Sequence, residues 1–412
     1  MLEFARWMFW ILLALIAGQA LMVCRYVWAQ HRREHRGKQL EFCPKATVIL
    51  CLRGCDPSLD DCVSALLKQD YPDFEVQIVV DSQNDPAWNA VHAIVQRGGA
   101  ANVHIQPLTD RRTTCSRKIA GLLQVIGGLD PSREMVALLD CDTIPHPTWL
   151  RELAAPLADP QVGAASGNRW YMPAVATWGS LARTLWNAAA VVQMYWYGIA
   201  WGGSLAVRTE VFRRTDVLDR WANAFGEDSS LCRSLFRQGL KVCFVPSLTM
   251  VNRESCSVHG FFHFVQRQLL TVRLHNPWWW AVVAHGILTT LAMTAGLVAL
   301  VAALAAGPGK AAIWAGGAMA AYLAGCLMLL AALEITARRI VRARGESTAW
   351  LTPLGVIKVV LAILLTQAVY AAALVSAIFA RTHRWRNVVY RFGGAQPVEV
   401  IEDRPYENAV PP

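Results

Sequence analysis

The sequence has no scheme for pairing its cysteines. Eleven are scattered through 412 residues, none is spaced C-x-x-C, and no histidine cluster stands near Cys51 and Cys55, which are four apart. That excludes a disulfide-stapled secreted scaffold and a zinc knuckle, and reads instead as reduced, mostly buried thiols in a cytoplasmic domain. No basic stripe interleaved with aromatics runs through the polar part of the chain. The net charge of +9 is therefore not a nucleic-acid footprint. Beside apolar runs, Lys and Arg are first a topology signal and only then a hint of an anionic partner. The apolar runs carry no carboxylates that could relay protons, which argues against a transporter. The first of them, 7–29, lacks a charged n-region and a clear small-x-small cleavage site, so it reads as an anchor and not as a signal peptide.

What is abundant is apolar surface. Hydrophobic residues make up 54% of the chain and the mean hydropathy is +0.30, which calls for membrane segments. Run 7–29 is long enough to span a bilayer, with Trp7, Trp10, Tyr26 and Trp28 near its ends where aromatic belts lie. "HRREHRGK" follows it, and the positive-inside rule then puts the N-terminus outside and the next domain in the cytoplasm. Runs 279–306 and 311–333 are joined by "AGPGKA", a hairpin turn. Run 354–380 holds Lys358 and Gln367 and reads either as a tilted span or as a re-entrant pair. Simple counting of spans puts the basic stretch after it outside, against the positive-inside rule. Residues 381–412 read as a basic, then flexible, tail.

Between the apolar runs, residues 44–256 alternate strand and helix patterns. "ATVILCL", "FEVQIVVDS", "NVHIQPL" and "EMVALLDCD" are separated by amphipathic stretches such as "LDDCVSALLKQDYP" and "SRKIAGLLQVIGGL". This spacing predicts an α/β domain with a mostly parallel sheet and helices on its faces. Ligands of such sheets bind at the carboxyl ends of the strands, where Asp81 and Asp140 fall.

Asp140 and Asp142 stand at positions i and i+2, which share a strand face. Two carboxylates there repel unless a cation lies near them, and Mg²⁺ or Mn²⁺ with a substrate diphosphate is the cation that oxygen ligands favour. Read alone, one of the two is equally a helix cap. Asp81 reads as a nucleoside contact or as a turn residue. Glu227 and Asp228 precede an amphipathic helix, either as a favourable N-terminal charge or as a base for an acceptor hydroxyl. Gln266, Arg267 and Arg273 lie on an amphipathic segment, 257–276, that enters the membrane; the arginines either snorkel or meet a pyrophosphate. Stretch 170–201 carries Trp170, Trp178, Trp186, Trp196 and Trp201 among small residues, the composition of an interfacial helix in the headgroup layer or of a core helix.

The order of these features resembles the family 2 glycosyltransferases, and within them most the ceramide glucosyltransferase branch with its bacterial hopanoid-associated members. The residues that carry the resemblance are "LRGCDPSLDDCVSALLKQDYPDFEVQIVVDSQNDPA", "SRKIAGL", "LLDCDT", "GGSLAVR" and "GEDSSL". "RWRNVVYR" is similar to the branch's Trp-Arg-Gly-x-x-Tyr tail, with Asn387 in place of glycine. The match covers roughly 44–275 plus the tail.

The resemblance implies a GT-A fold, Rossmann-like, in a cytoplasmic domain with flanking transmembrane helices, on a bacterial inner membrane. It implies an inverting hexosyl transfer from a UDP-sugar to a lipid hydroxyl, ceramide-, diacylglycerol- or hopanoid-like, with Mg²⁺ or Mn²⁺ as cofactor. Carried over residue by residue, Asp81 would contact the uridine, with Arg53 on the same donor side. Lys118 would stand near the nucleotide. Asp142, assisted by Asp140, would hold the metal on the diphosphate. Gly202, Gly203, Ser204 and Glu227 would shape the acceptor side, and Asp228 would be the general base. The family's membrane-proximal motif, Gln or Arg, two residues, then Arg-Trp, here reads "RQLLT" from Arg267, so Leu270 and Thr271 replace Arg-Trp. Arg267 and Arg273 remain as the diphosphate candidates. The missing pair argues against a polysaccharide synthase, the first alternative. The intact acidic set argues against a non-catalytic membrane scaffold, the second.

Overall fold

A computed structural model of the chain describes residues 1–34, 41–307, 309–348 and 353–406. The basic stretch 31–38 lies from residue 35 onward outside the described residues, as do residues 407–412 of the tail.

The domain is built on seven strands: β1 (Ala46–Leu52), β2 (Phe74–Val80), β3 (Val103–Pro107), β4 (Met135–Leu139), β5 (Val162–Tyr171), β6 (Ser204–Arg208) and β7 (Lys241–Asn252). Their order across the sheet is β3-β2-β1-β4-β6-β5-β7. β1 to β4 run parallel, β6 is antiparallel to both β4 and β5, and β5 and β7 are parallel. The continuous apolar runs of β1 and β4 follow from this arrangement, because central strands covered by helices on both faces have no solvent side. Two separate cores, one around Val48 and Leu50 and one around Ile49 and Leu138, sit on the two faces. The strand order turns back between β1 and β4, which makes the carboxyl ends of these strands the switch point where a ligand crevice opens. Local chemistry holds the exits there. Asp85 caps the helix Pro86–Gly98 through Ala87 N–H, and its carboxylate also accepts from Gly54 N–H at 2.9 Å. Gly54, at φ +76°, makes the turn that sends Arg53 into the crevice.

Among the described residues, four helices are long and apolar enough to cross a membrane: Leu2–His31, Trp279–Ala305, Lys310–Ala343 and Gly355–Phe379. The Trp-rich stretch does not lie free on a surface. Trp170 belongs to β5 and Trp201 precedes β6, both buried, and the helix proper is Trp178–Tyr197. Its small residues let neighbours close in: Ala182 and Ala188 are buried, and a Cβ on Gly179 would collide with the Ser257 backbone. The helix is wedged between the sheet and the long apolar helices.

The tail is ordered where a flexible segment was expected. Strands β8 (Thr382–Trp385), β9 (Val388–Phe392) and β10 (Val398–Asp403) form an antiparallel sheet. Arg386 and Asn387, with φ of +47° and +63°, make the two-residue loop of a β8–β9 hairpin, the conformation in which both central residues are left-handed. Val388, Tyr390 and Phe392 then bury against Phe225 of the domain. Asp403 pairs with Arg53 at 3.0 Å, so the tail packs onto the domain.

That placement bears on the last long helix, Pro353–Phe379. Just before it, Arg344 donates to the carbonyls of Ser247 and Thr249, and Arg253 to that of Ser347. At its far end, Arg273 donates to the carbonyls of Ile378 and Ala380 at 2.8 Å. The chain is thus back at the domain both before and after this helix. The segment is one unbroken helix and so not a re-entrant pair, and the contacts at its two ends predict a topology in which tail and domain share one face. Epitope tags placed after Pro412 and in the exposed Asp130–Ser132 turn are expected to be digested together when protease meets one face of sealed vesicles; digestion from opposite faces would contradict this topology.

Candidate active site

A cleft of about 210 Å³ opens at the carboxyl ends of β1 and β4. It gathers Arg53, Asp81, Lys118, Asp140, Asp142, Gly202, Glu227, Asp228 and Arg267 from elements spread over the chain. Lys118 is the second residue of the helix Arg117–Gly127, capped by Ser116. Its Nζ lies 2.6 Å from Asp140 Oδ1 and 2.6 Å from Glu227 Oε1, and it donates to the Gly202 carbonyl at 3.3 Å. Desolvation pulls the Lys118 pKa down, but the two carboxylates outweigh it and hold the ammonium charged. Desolvation likewise pushes the Asp140 carboxyl up, yet Lys118 brings it below the usual range. Gly202 and Gly203 make room for this cluster: a Cβ on Gly202 would collide with the Glu227 carboxylate, and one on Gly203 would press on Asp140 and Trp201.

Asp142 is differently placed. Its Oδ2 meets Arg169 and Asn252 Nδ2, each at 3.3 Å. Desolvation raises its pKa, the Arg169 guanidinium only partly offsets this, and the charges of Asp140 and Asp56 add to it. The carboxylate is therefore short of positive charge. Asp228 stands in the first turn of the helix Glu227–Arg237. Its Oδ2 accepts from Gly202 N–H at 3.2 Å and its Oδ1 from Ser229 N–H at 2.6 Å. Desolvation, then the neighbouring Glu227 charge, push its pKa up to about 6.

At the far end of the cleft Asp81 is nearly enclosed by Arg53 at 2.7 Å and Arg111 at 3.3 Å. Asp403 of the tail joins the same cluster through Arg53, Arg111 and Arg117. Among the predicted residues, Gly203, Ser204 and Arg273 do not line the cleft. Ser204 is buried in β6, and its Oγ accepts from Trp149 Nε1 at 2.9 Å, so it braces the sheet and does not shape the acceptor side. Arg273 ties down the last carbonyls of the Pro353–Phe379 helix, as cations at helix C-termini do, and faces away from any diphosphate. Gln266 donates to Ser376 Oγ and likewise holds helices together. Arg267 does enter the cleft, with its guanidinium 5.1 Å over the Trp385 ring.

Sequence reading did not single out Arg169, Trp385, Arg386 and Tyr390 as site residues, though all four line the cleft. Arg169 stacks among Tyr171, Trp201 and Phe264 at 5.2 to 5.4 Å. A lone charge in the buried run "VGAASGNRWY" was its available signal.

A second cavity of about 220 Å³ shares Arg169, Trp201, Asp228, Gln268 and Thr271 with the first. It runs from Asp228 between the Trp178–Tyr197, Val258–His275, Trp279–Ala305 and Pro353–Phe379 helices, past Trp186, Leu269 and Val282. Among the described residues no group of three or more His, Cys, Asp or Glu side chains could hold a metal. The donor set at hand is the Asp140–Asp142 pair, whose remaining positions a phosphate and water would fill.

The profile of Glycosyl transferase family 21 matches residues 8–396. The chain belongs to that family. The resemblance to the ceramide glucosyltransferase branch is thereby met, and the number that the matching family carries is 21. Among curated proteins, this family member is 35% identical over 51 residues to "Ceramide glucosyltransferase" of Komagataella phaffii (strain GS115 / ATCC 20864), which is 12% of this chain and 10% of the relative. The match spans only about a tenth of that relative's length. Among solved structures it is similar to the mannosyltransferase PcManGT from Pyrobaculum calidifontis in complex with GDP-Man and Mn²⁺. The TM-score is 0.54 at 20% identity, over 90% of this chain and 99% of that one. That likeness shows the GT-A fold.

A reaction that needs Asp228 ionised is expected to lose kcat/KM about tenfold per pH unit below about 6. Glu227→Gln removes the neighbouring charge and should move that limb to lower pH. A limb that stays in place in the variant would contradict the assigned cause.

Proposed function

We propose that the protein moves a hexosyl group from a UDP-sugar to the hydroxyl of a membrane lipid, with inversion at the anomeric carbon. One observation carries this reading: the polar cleft and the apolar cavity meet at Asp228. The acceptor hydroxyl would come down the apolar cavity and give its proton to Asp228 Oδ as its oxygen attacks the anomeric carbon. The new carbon–oxygen bond forms on one face while the bond to the diphosphate oxygen breaks on the other, through an oxocarbenium-like transition state. Glu227 is held by Lys118, so Asp228 alone is available as base, which is what a single displacement needs.

Asp81 and Arg53 mark the nucleoside end, and Lys118, Arg169 and Arg267 supply fixed positive charge along the path of the phosphates. The donor set fits a divalent cation, because Asp142 is a desolvated carboxylate whose charge is incompletely offset. Asp142 with Asp140 would hold Mg²⁺ or Mn²⁺, which when bound supplies Lewis-acid stabilisation of the leaving diphosphate. An apolar channel that leads into the long helices supports a lipid acceptor, and the resemblance suggests a ceramide-, diacylglycerol- or hopanoid-like one. With a nucleotide-sugar donor, the domain would face the cytoplasm at an inner membrane.

The test uses purified protein in lipid nanodiscs with several UDP-sugars, a total lipid extract, and Mn²⁺ or Mg²⁺. Mass spectrometry should find a glycosylated lipid, and Asp228→Asn should lower turnover by about 10²-fold or more while keeping donor binding. Transfer to water-soluble sugars alone, or an indifferent Asp228→Asn, would overturn the reading.

A further inference from the structure

The tail hairpin brings Arg386 to the cleft in a conformation that arginine disfavours. Among the described residues, Arg386 and Asn387 are the non-glycine residues with positive φ. Asn tolerates the left-handed region through its short polar side chain, and Gly does so freely; Arg has neither advantage. Such strain persists only where the surroundings impose it, and it clusters at ligand sites.

The surroundings here are specific. The Arg386 guanidinium donates to the Arg53 carbonyl and stands 3.4 Å from Asp56 Oδ2. It lines the same cleft as Asp142, and the two charges interact. On its other side Trp385 supports the Arg267 guanidinium at 5.1 Å. Arg169, Arg267 and Arg386 thus converge on one cleft from β5, an amphipathic helix and the tail. Arg169 and Arg267 repel each other, and desolvation followed by this repulsion lowers the Arg267 pKa. Arg169 and Arg386 each have a carboxylate within reach, Asp142 and Asp56, while Arg267 has no ion pair among the described residues; three forked donors facing one cleft suit a multiply charged anion with paired oxygens.

We propose that Arg386 binds the diphosphate of the nucleotide donor and that Trp385 positions Arg267 for the same anion. This rests on the glycosyl-transfer reading above.

The test is Arg386→Gly, because glycine suits the left-handed turn and leaves the hairpin unstrained. Melting temperature, UDP affinity by calorimetry with Mn²⁺, and KM and kcat for donor and acceptor are measured on the full chain. Arg386→Gly is expected to melt at or above the wild-type temperature, yet to weaken UDP binding and raise donor KM at least about tenfold. Arg386→Lys, which keeps the charge without the fork, should fall between. Asn387→Gly should leave UDP affinity unchanged. Wild-type UDP affinity and donor KM in Arg386→Gly would overturn the assignment while leaving the transferase reading intact. A wild-type protein that neither binds UDP nor transfers sugar would overturn both.

Discussion

Lys118 lies between two carboxylates that could not otherwise share a desolvated cleft. Removing one partner of such a buried arrangement typically costs about 3–5 kcal/mol, because the remaining charges lose their compensation. Much of the domain's local structure serves this contact. Ser116 caps the helix that presents the lysine, and the glycines at 202 and 203 clear space for Glu227 and Asp140. β4 and the helix Glu227–Arg237 deliver one carboxylate each.

The same lysine divides the acidic residues by function. It takes the first member of each acidic pair, Asp140 and Glu227, and leaves Asp142 and Asp228 without a cation of their own at that distance. Both of these carboxyls are raised above the usual range. One is thereby suited to a metal-borne charge and the other to a proton. The cleft reaches this division with a single ammonium, and the arginines of β5, the amphipathic helix and the tail remain for the anionic donor.

The parts of this arrangement that were legible in the sequence are those set by local pattern. The strand runs, the helix caps and the acidic residues at strand ends are each written within a few residues, and the cleft indeed forms where β1 and β4 end. What the sequence did not disclose is direction and distance. Ser204 and Gly203 are neighbours in one motif, but strand alternation turns Ser204 into the core. Arg273 is one turn away from a motif position, yet it faces the helix end at Ala377. The order of the tail is hidden in the sequence because its hairpin turn, Arg-Asn, lacks the glycine that marks such loops, and its anchors, Arg53 and Asp403, are 350 positions apart. Contacts of that separation leave no periodicity to read.

The central claim is that Asp142 carries an incompletely offset charge that a donor-bound divalent cation fills. Electron paramagnetic resonance of Mn²⁺ titrated into the purified protein with UDP tests it most directly. Tight Mn²⁺ binding that depends on UDP, and that weakens at least about tenfold in Asp142→Asn, is the predicted result. Mn²⁺ binding that is absent with UDP, or unchanged in Asp142→Asn, would contradict the account.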